Sequence, residues 1–309
     1  MRVDPHYTSN LAGSLSQTQS NLQQLTAQLS SGVRVNSLSD DPVASGQNVV
    51  LLNQIQQDDS FTSSSTLVTG QLQVADSALG NVVTELTTAI SLATSANNGT
   101  MNTSNVKSIS NQISGILAEV TSLANTSYQG QYIFSGSQNS TAPFTTSTST
   151  SPAITTYNGD SGINYIQTPA GQSIQLNVPG NNIFLGGDTD SSGNNSNSVF
   201  SALNNLIADY SGGTVNTSQA VTDTEALNTA LNYVSQQRVT IDNSMNQLTT
   251  ASSAVTSQKT QLTAAQNDLI QSDTASVATK LSLSETQQTA LISVIAQLNS
   301  TSNSLFNKI

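Results

Sequence analysis

The chain has 309 residues, a length for about two domains, and carries 18 acidic against 7 basic side chains, a formal net charge of −11. That balance excludes nucleic acid as a partner, because such binding rests on Lys and Arg neutralising phosphate, and it argues against an anionic membrane surface. Charged residues are only 8% of the chain and cysteine is absent. Little like-charge repulsion therefore opposes self-association, and neither a disulfide framework nor a thiolate metal site can form.

Met1 to Pro5 is followed by no apolar run of signal-peptide length. No stretch has the roughly 18 continuous apolar residues of a membrane span. Export, if it occurs, is expected to proceed without a cleaved signal of this kind.

The first predicted element is a helix with a narrow stripe. Leu11, Leu15, Thr18, Leu22, Leu25 and Leu29 recur in steps of four and three, the mean period of about 3.5 that marks a coiled-coil seam. Gly32 supplies a stop as the glycine after a helix end. Asp41 and Pro42 then predict the next helix start. A carboxylate caps free N–H groups, and proline at the first helical position gives up an N–H that had no partner anyway. Asp40 and Asp41 both suit the positive end of a helix. This capping role accounts for the acidic pair, and no histidine nearby makes it a catalytic dyad.

From Val43 to about Asn97 the period stays helical, clearest at Leu72, Ala75, Leu79, Val82, Leu86, Ala89, Ala93 and Ala96. Gly70 and Gly80 weaken it slightly. A further helix spans about Ser104 to Asn125. At Tyr128 to Gly136 the period changes to two, with aromatic and β-branched residues between glycines, which predicts a strand. Ile163–Ile166, Ser173–Val178 and Asn182–Leu185 are predicted as further short strands, separated by Pro and Gly. Thr155–Asp160 is read as a turn, and the Thr/Ser run 145–151 as a mobile outer loop. Asp188, Asp190 and Gly193 invite a calcium reading, but the position of the closing bidentate Glu falls on Val199. A solvated turn before a helix at Ser198–Tyr210 is the better account.

The last third carries the strongest pattern. Leu227, Leu231, Val234, Arg238, Ile241, Met245, Leu248, Ser252, Val255, Lys259, Leu262, Gln266 and Leu269 form one seam, without an interrupting Gly or Pro. The phase slips by one residue, then resumes at Val277, Leu281, Ser284, Gln288, Leu291, Ile295, Leu298, Ser302 and Leu305. The first seam is expected to pack against Val43–Asn125, and the second to pair with Leu11–Leu29. The slip near Asp268–Ser276, with Gly32–Pro42 opposite, is the expected hinge. The aliphatic anchors of the second seam bury too little surface to offset the entropy of ordering the segment. Both termini are therefore expected to become helical only against neighbours.

The fold class is mainly α with a β insertion: long antiparallel helical rods, formed by the N- and C-terminal halves, with a small β domain between them. Three domains are expected. They are a terminal coiled coil (1–41 with 271–309), a helical rod (42–136 with 197–270) and a β-rich insertion (137–196). The chemistry of an enzyme is absent. The chain has one histidine, His6, near the terminus; no His/Cys metal cluster and no phosphate loop can be assembled. Neither a cofactor nor a metal is expected.

Several motifs carry a resemblance. Leu29-Ser-Ser-Gly-Val-Arg-Val-Asn-Ser-Leu-Ser-Asp-Asp-Pro-Val-Ala44 resembles the N-terminal signature of bacterial flagellin-like proteins. Asp40-Asp41-Pro42-Val43, in place of the Asp-Asp-Ala-Ala common in flagellins, looks like the members at the hook–filament junction. Gly130-Gln-Tyr-Ile-Phe-Ser-Gly136, Pro143-Phe144, Tyr157-Asn-Gly-Asp160, Val178-Pro-Gly-Asn-Asn-Ile-Phe184 and Glu285-Thr-Gln-Gln-Thr-Ala-Leu291 are similar to segments of that group. The resemblance implies an extracellular structural subunit, exported unfolded by the flagellar type III route. It implies as partners copies of itself, flagellin on the filament side, the other hook-associated junction protein on the hook side, and an export chaperone at the C-terminal helix. The assembly interface it implies is Leu11, Leu15, Leu22, Leu25 and Leu29 with Val277, Leu281, Leu291, Ile295, Leu298 and Leu305. Gly32, Asp40, Asp41 and Pro42 form the hinge and cap. A flagellin forming the filament is the alternative within the family, and a secreted adhesin using the β insertion the alternative outside it.

Overall fold

The proline-free stretches form the long helices. The computed structural model describes residues 5–147, 154–186 and 198–306. Its helices are α1 (Pro5–Ser31), α2 (Pro42–Asn97), α3 (Thr103–Ala124), α4 (Gly180–Phe184), α5 (Val199–Ser211), α6 (Thr217–Ile270) and α7 (Thr274–Phe306). Between α3 and α4 lie β1 (Ser127–Tyr128), β2 (Gln131–Tyr132), β3 (Phe144–Ser147), β4 (Ile154–Tyr157), β5 (Tyr165–Gln167) and β6 (Ser173–Gln175). The fold is mainly α with a small β insertion, and among the described residues no helix is long and apolar enough to cross a membrane. The chain forms two compact units, Met1–Asp58 with Ser257–Ile309, and Asp59–Thr256.

In the unit Asp59–Thr256 the core follows the helical periods. Leu79, Val82, Leu86, Ala89 and Ala93 of α2 are fully buried, with Ile113 and Val120 of α3, Leu203 and Leu206 of α5, and Leu227, Val234 and Leu248 of α6. Of the three glycines inside α2, Gly46, Gly70 and Gly80, only Gly70 meets a close neighbour. A Cβ on Gly70 would stand 2.6 Å from the Tyr128 hydroxyl, and one on Gly80 would meet the Arg238 guanidinium at 3.5 Å. Arg238 occupies a seam position of α6 and grips Asp76 of α2 with two nitrogens, Nε on Oδ1 and Nη2 on Oδ2 at 3.1 Å.

Among the described residues the β segment is three separate antiparallel pairs, β1–β2, β3–β4 and β5–β6. The single strand expected at Tyr128–Gly136 is instead a two-residue-per-arm hairpin, Ser127 opposite Tyr132 and Tyr128 opposite Gln131. Gln129 and Gly130 both take positive φ (51° and 80°), the geometry of the tight hairpin turns that match strand twist. The strand expected at Asn182–Leu185 is a second correction: α4 occupies it. Pro179 presets an extended entry to the turn, the Gly180 N–H donates to Phe134 O at 2.7 Å, and Ile183, Phe184 and Leu185 are all buried. Over so few apolar residues strand and helix periods cannot be told apart. Thr145–Ser147 of the expected mobile loop pairs with Ile154–Thr156. Residues 148–153 and the candidate calcium turn Asp188–Gly193 lie outside the described residues.

A lone two-stranded pair is marginal in water, so these pairs depend on what lies beneath them. An aromatic cluster supplies it. Phe144 packs on Tyr157 (5.1 Å between centroids), Phe184 (5.3 Å) and Phe200 of α5 (5.0 Å), and Phe134 meets Phe184 edge to face at 5.6 Å. The Asn125 amide pairs with the Phe144 backbone in both directions, donating to its carbonyl and accepting its N–H, each at 2.8 Å. One side chain thus stands in for a strand neighbour.

Candidate assembly interface

The site is built in the unit Met1–Asp58 with Ser257–Ile309. Helix α1 packs along α7, and the side chains that turn inward have the heptad spacing. On α1 they are Leu11, Leu15, Thr18, Leu22 and Leu25, all half-buried. On α7 they are Val277, which is buried, and half-buried Leu281, Ser284, Gln288, Leu291, Ile295 and Leu298. Leu29 departs from the expected seam. It is 38% exposed, while Gln28 takes the inward position and its amide donates to the Arg34 carbonyl at 3.0 Å. The seam shortens its last step because the chain must turn there. Leu305 lies in α7, but its side chain is outside the described residues.

Both helix breaks occur at the positions where the periods slip, and they are bonded to each other. Gly32, at φ 69°, ends α1 with its N–H on Gln28 O at 2.9 Å. Val33 then forms an antiparallel bridge with Gln271. The Arg34 N–H donates to Ile270 O at 2.7 Å, and the Ser272 N–H to Gly32 O at 2.9 Å. Asp273 starts α7 by accepting the N–H groups of Ala275 and Ser276, both at 3.1 Å.

The acidic pair divides its labour. Asp41 caps α2, accepting the Ala44 N–H at 3.0 Å, and Pro42 follows as the first helical residue. Asp40 does not reach the helix end. It closes the preceding loop by accepting the N–H groups of Asn36 (3.0 Å) and Ser37 (2.9 Å). These backbone donors hold the Asp40 carboxyl below its ordinary pKa, the Ser37 N–H most strongly. The Ala44 N–H, and next the Arg34 guanidinium, do the same for Asp41.

Arg34 is the residue that periodicity misses. Its Nη1 meets Asp41 Oδ2 at 3.1 Å, and its Nη2 donates to the Leu269 carbonyl at 3.1 Å. A guanidinium is suited to both partners, since it carries several donors in a fixed fork and a cation is favourable at a helix C-terminus. The available signal was a lone basic residue between a helix stop and an acidic cap in a chain with few charges.

The same unit exposes much apolar surface. Leu38 is 69% exposed, Val43 70%, Val50 57% and Leu283 58%, and Val49, Leu52, Ile292 and Val294 are exposed as well. Among the described residues no group of three or more His, Cys, Asp or Glu could hold a metal ion.

Two family descriptions match most of the chain, the bacterial flagellin N-terminal helical region over residues 6–139 and the bacterial flagellin C-terminal helical region over residues 224–308. The chain belongs to the bacterial flagellin family, whose members are structural parts of the flagellum. Within that family it is similar to flagellar hook-associated protein 3. The protein of that name from Escherichia coli is 28% identical over 256 residues, 78% of each chain. That from Salmonella typhimurium is 34% identical over 139 residues, a match spanning 45% of this chain and less than half (44%) of the relative. The solved structure of a putative flagellar hook-associated protein from Vibrio parahaemolyticus shares the fold, with a TM-score of 0.65 at 19% identity over 75% of this chain and all of that one.

Proposed function

We propose that this chain is the structural subunit that joins hook to filament in the bacterial flagellum, and that it assembles with copies of itself through the α1–α7 seam. The observation that carries this reading is a half-buried seam, closed at one end by the Val33–Gln271 bridge, in a unit that also leaves large apolar side chains exposed, among them Leu38, Val43 and Leu283. A subunit complete in itself would cover them; one made for a layer of copies would leave them for its neighbours. The names of its relatives support the junction rather than the filament.

In this reading residues 1–41 with 271–309 are the terminal assembly domain, 42–136 with 197–270 the helical rod, and 137–196 the β-rich insertion. Flagellin is the partner on the filament side and the other hook-associated junction protein on the hook side. The chain leaves the cell by the flagellar type III route, escorted by a chaperone at α7. Its role requires no catalysis. Deleting the gene tests the reading: cells should carry hooks without filaments and shed flagellin into the medium. Normal filaments in the deletion strain would refute it.

A further inference from the structure

The chain contains two Asn-Gly steps, Asn98-Gly99 and Asn158-Gly159, and the fold treats them in opposite ways. Asn98 directly follows the last residue of α2, and Asn98, Gly99 and Thr100 are all exposed. Gly99 has φ 68°, with nothing within 4 Å of where a Cβ would stand. The Asn98 side chain makes no hydrogen bond among the described residues.

Asn158 is exposed but tethered. Its N–H donates to Pro143 O at 2.7 Å, and its side-chain Nδ2 donates to Thr145 Oγ1 at 3.0 Å. The Gly159 that follows is wedged against its surroundings. A Cβ there would lie 2.5 Å from the Tyr157 hydroxyl and 2.7 Å from Ser135 O. The next N–H, from Asp160, is committed to that same Ser135 carbonyl at 3.1 Å.

We propose that Asn98-Gly99 is a site of spontaneous deamidation in the folded protein and that Asn158-Gly159 is protected. The Gly99 nitrogen loses its proton and attacks Asn98 Cγ, forming the N–Cγ bond of a succinimide. The Cγ–Nδ2 bond breaks and the nitrogen leaves as ammonia, taking up a proton from solvent. Water then opens the ring at either carbonyl, leaving aspartate or isoaspartate. In sum one water enters and one ammonia departs, with no change of oxidation state. Glycine after the asparagine favours the attack because no side chain crowds its nitrogen. At Asn158 the tethered amide cannot swing onto the Gly159 nitrogen without first leaving Thr145.

The product alters the end of α2. A new carboxylate stands at a helix C-terminus, where negative charge is unfavourable. It adjoins Asn97, which accepts the Tyr210 hydroxyl at 2.9 Å and donates to Thr224 Oγ1 at 3.2 Å. An isoaspartate also lengthens the backbone in the turn that Gly99 makes.

The test is incubation of the purified full-length chain in warm, mildly alkaline buffer, followed by peptide mapping with mass spectrometry and isoaspartate detection. A parallel sample is kept unfolded in urea. In the folded sample, product should accumulate at Asn98 and form at Asn158 about tenfold more slowly or less, because reaction there waits for local opening. In urea the two sites should react at comparable rates. Equal rates at the two sites in the folded sample would overturn the proposal. So would an intact Asn98 there when the urea sample has reacted.

Discussion

The Arg34 guanidinium sits between the carboxylate of Asp41 and the carbonyl of Leu269, 3.1 Å from each. One side chain thereby joins the N-terminal cap of α2 to the C-terminal end of α6 at the point where the bridge Val33–Gln271 forms. Arg34→Ala removes both contacts and leaves the cap in place. The pair is largely solvent-exposed, so the loss in equilibrium unfolding should be about 1 kcal/mol or less. The sharper readout is faster amide exchange at Arg34 and Ser272, whose N–H groups complete the bridge. Arg34→Lys should not restore it, since one ammonium cannot serve both acceptors in the fork geometry.

Asp209 gives the fold a pH dependence of defined sign. Burial, and then the hydrogen bond and charge of neighbouring Asp223, push its pKa up to about 6 from 3.8. One Asp209 oxygen is buried without a partner, while Asp223 receives Asn205 at 3.3 Å and Gln219 at 3.0 Å. The folded state therefore holds a proton that the unfolded state has lost between about pH 4 and 6. The contribution of Asp209 to stability is greatest below that window and declines as pH rises through it. Asp209→Asn should flatten the decline and raise the melting temperature at neutral pH by a few degrees. A steeper decline in the variant would contradict the assignment.

The Tyr157 hydroxyl lies 2.8 Å from Asp160 O and 3.1 Å from Phe134 O, and burial raises its pKa to about 12. It stays protonated and donating across the working range. Tyr157→Phe removes the donor that Asp160 O accepts, while Phe134 O keeps the Gly180 N–H, a loss of about 1–2 kcal/mol. Because the β pairs depend on this cluster, limited proteolysis should cut the variant between β2 and β6 before it cuts the helices.

Much of this was legible in the chain and some was not. The thirteen seam positions from Leu227 to Leu269 are all buried or half-buried in α6, because a period sustained over many turns averages out exceptions such as Arg238 and Lys259. The phase slip also marked a real break, at Gln271–Asp273. The misses fall where no long period exists. The helix α4, the hairpin at Gln129-Gly130 and the amide of Asn125 are set by contacts between residues distant in sequence, which no local pattern encodes. The motifs at 130–136, 157–160 and 178–184 resembled family segments one by one. The fold shows why they belong together: Asp160 holds Ser137 by backbone and side chain, and Gly180 bonds to Phe134.

The half-burial of the α1–α7 seam bears on its stability in a lone subunit. Of its inward positions among the described residues only Val277 is fully buried, so packing offsets little of the ordering entropy. Hydrogen exchange on dilute monomer should find the amides of 277–305 weakly protected and those of α3 strongly protected. Comparable protection in both would mean that the termini fold before assembly.

The most direct test of the central claim is a filament count in the deletion strain complemented with the double variant Leu291→Asp and Ile295→Asp. Both side chains lie inward on the seam, and charges there cannot be buried without a partner. The account predicts that the variant chain is exported into the medium while the cells keep bare hooks. Full-length filaments on those cells would show that the α1–α7 seam is not what builds the junction.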